Sequence, residues 1–171
     1  MQPPATERLI LREFRADDAR DLLAVFSDDY ARRFYPDMIT EAAAADWIGR
    51  NLERYAGHGF GLWAVIERST GRLIGDCGPT WQNVGGPTIL EIGYHIAPDR
   101  RGHGFALEAA RACLATAFAS TDEPEIGSIV APENSASMSV ARRLHREMRS
   151  YVNSRGLDRF LFFTRRAPLS T

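Results

Sequence analysis

The chain has no lysine: all 21 of its basic residues are arginine. This bias runs through the whole chain and marks no site. It does close one option, because a Walker-type phosphate loop needs a lysine followed by serine or threonine. Cysteine is scarce as well. Cys77 and Cys113 stand far apart with no CxxC or Cys/His spacing, which argues against a disulfide framework or a zinc site and leaves buried free thiols as the expectation. His58, His95, His103 and His145 also lack metal-ligand spacing, so no metal is expected. Neither sign of charge dominates. With 21 basic and 22 acidic residues the formal charge is -1, far from the basic field that nucleic-acid binders carry. No apolar run approaches the ~20 residues of a membrane span, and Glu7, Arg8, Arg12 and Arg15 adjoin no apolar targeting core. The expectations are no nucleic-acid partner, no membrane partner and a cytoplasmic location.

What is present suits a compact enzyme or binding module. A length of 171 residues with 44% hydrophobic and 25% charged content allows one domain, 1–171, with a substantial core. Arg8 to Phe14 reads as a strand, and Asp17-Asp18 open a helix to about Phe26. A second helical patch covers Ala31 to Tyr35. Thr40 is placed to cap a helix over Glu41 to Ala56, which Gly57 and Gly59 terminate. Gly61 to Glu67 and Leu73 to Trp81 read as a hairpin, and Ile89 to Ile96 as the third strand of a meander. A helix over Leu107 to Ser120 then leads to a parallel strand, Glu125 to Val130. Asn134 to His145 is helical in pattern, and Met148 to Val152 with Leu157 to Thr164 form a closing hairpin.

Between the meander and its following helix lies Arg101-Gly102-His103-Gly104-Phe105-Ala106. A glycine turn that opens a helix offers unpaired N–H groups and the positive end of a dipole to an anion. A dinucleotide fingerprint fails here, because its third glycine would fall on Leu107 and the turn follows a late strand. A bare turn that merely starts a helix remains available.

The remaining reading comes from resemblance. Arg101, Gly104 and Ala106 fill the Arg/Gln-x-x-Gly-x-Gly/Ala pattern of the acyl-CoA loop in the GNAT (Gcn5-related) N-acetyltransferase superfamily. The flanks resemble the branch containing ribosomal-protein N-terminal (alanine/serine) acetyltransferases. Those flanks are Thr6-Glu7-Arg8-Leu9 with Leu11-Arg12, Asp17-Asp18-Ala19, Leu73-Ile74-Gly75, Glu91-Ile92-Gly93-Tyr94, Glu108-Ala109 and Asn134-Ser135-Ala136-Ser137. The resemblance implies an α/β fold whose mixed, twisted, mostly antiparallel sheet has a central parallel pair splayed around the cofactor, with helices on both faces.

It also implies an acetyl-CoA-dependent N-acetyltransferase moving an acetyl group directly to a primary amine, either a protein N-terminus or a small-molecule amine. Acetyl-CoA is the cosubstrate and no metal is involved. The coenzyme contacts implied are Tyr94, His95 and Ile96 on the central strand, then Arg101, Gly102, His103, Gly104, Phe105, Ala106 and Leu107 in the loop. Asn134, Ser137 and Arg143 follow, with Arg100 as a supporting cation. Asn134 would bind pantetheine, although an N-cap explains its residue type equally. Glu91 is the candidate base, on one strand face with Gly93 and His95 and opposite Tyr94. Ser137 stands where this branch places a serine to assist the leaving sulfur. Phe34, Tyr35, Trp81 and Tyr151 are the expected acceptor-lining residues. The family's usual Leu-Gly-Phe helix exit is Leu144-His145-Arg146 here, which predicts a shifted exit. The alternatives are a non-catalytic acyl-CoA-binding or regulatory module and a nucleotide or phosphate binder; a homodimer is left open.

Overall fold

The computed structural model describes residues 1–167. Its strands are β1 (Leu9–Arg12), β2 (Trp63–Glu67), β3 (Leu73–Asn83), β4 (Thr88–Ile96), β5 (Glu125–Val130), β6 (Glu147–Val152) and β7 (Asp158–Arg165). Its helices are α1 (Ala19–Val25), α2 (Asp29–Arg32), α3 (Glu41–His58), α4 (Phe105–Ser120) and α5 (Ser135–Leu144). The strands form one sheet in the order β1-β2-β3-β4-β5-β7-β6. Every pairing is antiparallel except β4 with β5, as the crossover helix requires.

Alternation along the strands divides the core between the two faces of the sheet. On one face Leu90, Ile92 and Ile96 of β4 join Trp63, Val65 and Ile74 against Phe105, Ala109, Ala110, Cys113 and Ala117 of α4. The small residues let that helix lie close to the strands. Val130 and Phe162 extend this face under Ala141 and Met138 of α5. On the other face Leu62, Ala64 and Leu73 pack against Leu22 and Val25 of α1, Phe26 just beyond it, and Ala44 and Ile48 of α3. Cys77 and Cys113 are free, buried thiols that meet in the core, and burial pushes the Cys77 thiol up.

Several boundaries differ from the sequence expectation, each for a local reason. Helix α3 runs through Gly57 and stops only where Gly59 takes φ 75°, while Thr40 accepts from the Ala43 N–H at its start. Helix α2 ends at Arg32, so Phe34 and Tyr35 leave the helix and turn toward the sheet. Helix α4 begins at Phe105, because Gly104 already serves as its cap at φ 83°. Helix α5 exits at Leu144, where the family's usual glycine is replaced by His145. His145 takes an extended backbone, and its buried ring links Ser128 Oγ at 3.1 Å to Thr164 Oγ1 at 3.0 Å. Since Ser128 donates to the Ile92 carbonyl, the His145 Nε2–H donates to Ser128, and Nδ1 accepts from Thr164. Burial depresses this imidazole to about 4, consistent with a neutral ring.

Two glycines of β3 sit where chains approach closely. A Cβ on Gly75 would lie 2.0 Å from the His95 carbonyl oxygen, and one on Gly78 would lie 2.2 Å from that of Gly61. Both contacts are with backbone, which side-chain rotation cannot relieve.

Candidate active site

Strands β4 and β5 pair only at Leu90↔Ile126 and Glu91↔Gly127 and then part. Two side chains bridge the opening. Ser128 Oγ donates to the Ile92 carbonyl at 2.7 Å, and Glu91 Oε1 accepts from the Ile129 N–H at 3.0 Å. The Ile92 carbonyl faces β5, so alternation also turns the backbone groups of Tyr94 and Ile96 into the gap. The Ile96 carbonyl is taken by Arg101 Nε at 3.0 Å, which leaves the amides of this stretch as the donors facing the gap.

The gap opens into a cleft of about 380 Å³. Its lining joins the Gly102–Leu107 loop to Tyr94–Ile96, to Asn134, Ser137 and Arg143 of the α5 region, and to Phe26, Tyr30, Phe34 and Tyr35 beneath α1 and α2. The loop takes left-handed conformations at Gly102 (φ 80°) and Gly104 (φ 83°), where other residues are strained. Glu108 N–H donates to the Gly104 carbonyl, while the N–H groups of Gly102 through Leu107 find no acceptor among the described residues. A helix start with this many open donors suits an anion.

The loop is held from outside by residues of the opening strand motif. Arg8 bonds Glu108 through Nε at 2.7 Å and the His103 carbonyl through Nη1 at 3.0 Å, and Thr6 Oγ1 donates to Glu108. Arg101 clamps the other side. Its guanidinium pairs with Asp28 at 2.6 and 3.1 Å and lies over the Tyr30 ring. Partial burial opposes ionisation of Asp28, but the Arg101 bond and the Ala31 N–H outweigh it and hold the carboxyl below its usual range.

These placements revise several expected roles. The Arg101 side chain is committed to Asp28 and Ile96, and Arg100 to Glu67 and Asp99, so neither stands free as a phosphate ligand. His103 is exposed and outside the lining; its carbonyl, not its ring, takes part, as the Arg8 acceptor. Asn134 Oδ1 caps α5 by accepting from the Ser137 N–H at 3.0 Å and also accepts from Tyr30 at 2.8 Å. Its amide nitrogen has no partner among the described residues. Glu91 does not line the cleft. Desolvation pushes its carboxyl up to about 7 against the Ile129 N–H and His95. Trp81 does not line the cleft and packs on Phe60. Tyr151 also lies outside it, against the Val84, Ile89, Leu161 and Phe163 cluster.

Sequence reasoning missed Asp76 and Tyr30. Asp76 is fully buried, and its signal was a carboxylate inside the otherwise small and apolar Leu73–Trp81 run, which requires a partner. Tyr30 spans the cleft from α2 to α5: its hydroxyl donates to Asn134 Oδ1 and accepts from the Ala136 N–H at 3.2 Å. Nothing local in the sequence marks it.

The acetyltransferase (GNAT) domain model matches residues 8–147. The chain belongs to the GNAT acetyltransferase family. This GNAT chain is 31% identical over 140 residues to the uncharacterised protein YkkB of Bacillus subtilis (strain 168), covering 81% of each. Among solved structures, an acetyltransferase from Agrobacterium tumefaciens str. C58 superposes with a TM-score of 0.78 at 23% identity, over 97% of this chain and 95% of that one. RimL, a ribosomal L7/L12 alpha-N-protein acetyltransferase solved with coenzyme A, gives 0.74 at 15% identity, over 95% and 97%. The splayed pair and the helices on both faces are thus the GNAT fold. No helix among the described residues is long and apolar enough to cross a membrane.

Proposed function

We propose that the chain binds acetyl-CoA in this cleft and transfers the acetyl group directly to a primary amine, on a protein N-terminus or a small molecule. The observation that carries the reading is the left-handed Gly102–Gly104 turn, whose open N–H groups meet a gap between parallel strands. A pyrophosphate fits the first feature and an extended pantetheine arm fits the second. The same family membership and the coenzyme A complex of RimL support the choice of ligand.

In this reading the amides of Gly102 to Leu107 hold the pyrophosphate, and exposed Arg143, which lines the cleft, faces the remaining phosphate. The free Asn134 amide and the backbone of Tyr94 position the arm, and the Ile96 N–H polarises the acyl carbonyl. The coenzyme supplies an activated acyl group and a thiolate leaving group. Ser137 borders the cleft, and the Tyr94 hydroxyl donates to the Ser137 carbonyl at 3.1 Å. Burial raises the Tyr94 phenol, so it stays protonated. In this reading the Ser137 hydroxyl hydrogen-bonds the departing sulfur, while Tyr94, its one proton donated to the Ser137 carbonyl, holds that segment in place. Glu91 acts chiefly as a bracket that keeps the strands apart.

Acetyl-CoA should raise the melting temperature more than NADH or ATP at equal concentration, since a ligand selective for the folded state stabilises it. Thiol release should then follow across a panel of amines and peptide N-termini. An acetyl-CoA shift without thiol release would favour a binding module. No shift at all would refute the reading.

A further inference from the structure

On the side of the cleft away from α4 and α5, four residues from four segments form one bonded chain. Asp76 of β3 lies opposite His95 of β4 in the ladder, and its Oδ1 is 2.5 Å from His95 Nδ1. Its other oxygen accepts from Trp47 Nε1 of α3 at 2.9 Å. His95 Nε2 in turn is 2.6 Å from the hydroxyl of Tyr35. Asp76 is fully buried, whereas His95 and Tyr35 both line the cleft. The rings of Phe26, Tyr35 and Trp47 stand at centroid distances of 5.2, 4.7 and 5.6 Å around the imidazole. The ring is thereby fixed in plane and position.

This order of atoms has a direction. A carboxylate at Nδ1 requires a proton on that nitrogen, so a neutral His95 presents a lone pair at Nε2, and the Tyr35 hydroxyl donates to it. The oxygen of Tyr35 then keeps a lone pair for a donor arriving in the cleft. We propose that Tyr35, His95 and Asp76 form the proton relay that deprotonates the acceptor ammonium, with Tyr35 the contacting group and His95 and Asp76 positioning residues behind it. The proposal rests on the acetyltransferase reading for its substrate, and replaces Glu91 as the base.

The step balances simply. An N–H bond of the ammonium breaks as its proton joins the Tyr35 oxygen, while the original Tyr35 proton forms the Nε2–H bond of His95. The products are a neutral amine, an unchanged tyrosine and an imidazolium facing the Asp76 carboxylate. The amine lone pair then forms the C–N bond and the C–S bond electrons leave with sulfur. Nitrogen gives up a second proton as the amide forms. Of the two protons released, one ends on the thiol and one in solvent. Tyr35 cannot serve as a standing phenolate, because burial first and the charges of Glu91 and Asp76 next push its phenol up. Passing a proton on is therefore the chemistry left to it. The charged and titratable groups around the ring are Asp76 from β3, Glu91 from the same face of β4, Tyr35 from the segment after α2, Arg54 of α3 acting on Asp76 and Glu91, and Arg159 of β7 acting on Tyr35 at longer range. Trp47 of α3 and Phe26 beyond α1 carry no charge.

The test uses the full chain with acetyl-CoA and two nucleophiles, ethylamine, which is an ammonium at neutral pH, and hydroxylamine, which is already neutral there. In His95→Gln and Tyr35→Phe, thiol release with ethylamine should fall by roughly 10²–10⁴-fold, and that with hydroxylamine should stay within a few-fold of the parent. Equal losses with both nucleophiles, or an unchanged ethylamine rate, would overturn the relay. Nitrogen-edited NMR of the His95 imidazole in the unsubstituted protein needs neither acceptor nor coenzyme. It should show a single Nδ1–H tautomer at pH 7, lost in Asp76→Asn. An imidazolium carrying both protons at pH 7 would overturn the proposal, because it has no site to accept another. A wild-type protein that acetyl-CoA fails to stabilise refutes the broader reading instead, and the tautomer still reports on the relay.

Discussion

Replacing Glu91 by glutamine keeps its hydrogen bond and removes its charge. The Glu91 carboxyl accepts from the Ile129 N–H where β4 and β5 part, and glutamine offers the same carbonyl oxygen. Desolvation raises the folded-state value from 4.5 to about 7. A carboxyl raised on folding contributes its stability in full below 4.5 and loses it as pH climbs through 7. A shift of that size corresponds to at most about 3 kcal/mol. Glu91→Gln should therefore match the parent in stability near pH 4.5 and exceed it above pH 8, by up to about 3 kcal/mol or roughly 6–12 °C in a domain of this size. Urea unfolding at both pH values, with unchanged slope and a displaced midpoint, is the assay. Glu91→Ala is the contrast, since it orphans the Ile129 N–H and costs about 1–3 kcal/mol even at low pH. A glutamine variant less stable than the parent at pH 9, or one whose advantage ignores pH, would refute the bracket.

His145 gives the opposite slope. Burial holds its folded value near 4 against 6.5, so its stability is present above 6.5 and lost as pH falls through 4; His145→Asn should flatten that acid limb of the stability profile, and an unaltered limb would remove the assignment. Gly104→Glu forces a side chain into a left-handed position and adds a carboxylate beside open N–H groups. It should abolish stabilisation by acetyl-CoA, and a normal shift in a folded variant would refute the cradle. Gly75→Ala places a Cβ 2.0 Å from the His95 carbonyl; a loss of about 3 kcal/mol or more in urea unfolding, or failure to fold, is expected, and a loss below 1 kcal/mol would show that β3 and β4 can separate at little cost.

Much of this architecture was legible because it is written in local terms. Gly102 and Gly104 could be read as a turn opening a helix from their type and place alone, and alternation along Ile89 to Ile96 correctly separated Glu91 and His95 from Tyr94. Thr40 and Gly59 mark the ends of α3 through capping chemistry that operates within a few residues. The expected roles of Arg101 and Glu91 were less secure, because residue type says that a charge is available and not where its partner lies. Arg101 turned to Asp28, which is distant in sequence and adjacent in space.

By itself, then, the sequence determined the order of elements, the glycine turn and its family, since periodicity, caps and turn geometry depend on neighbours along the chain. Only the tertiary structure decided that a carboxylate on β3, an imidazole on β4 and a phenol beyond α2 meet in one line. Hydrogen bonds act over about 3 Å, and strand pairing, not sequence proximity, brought these groups within that reach.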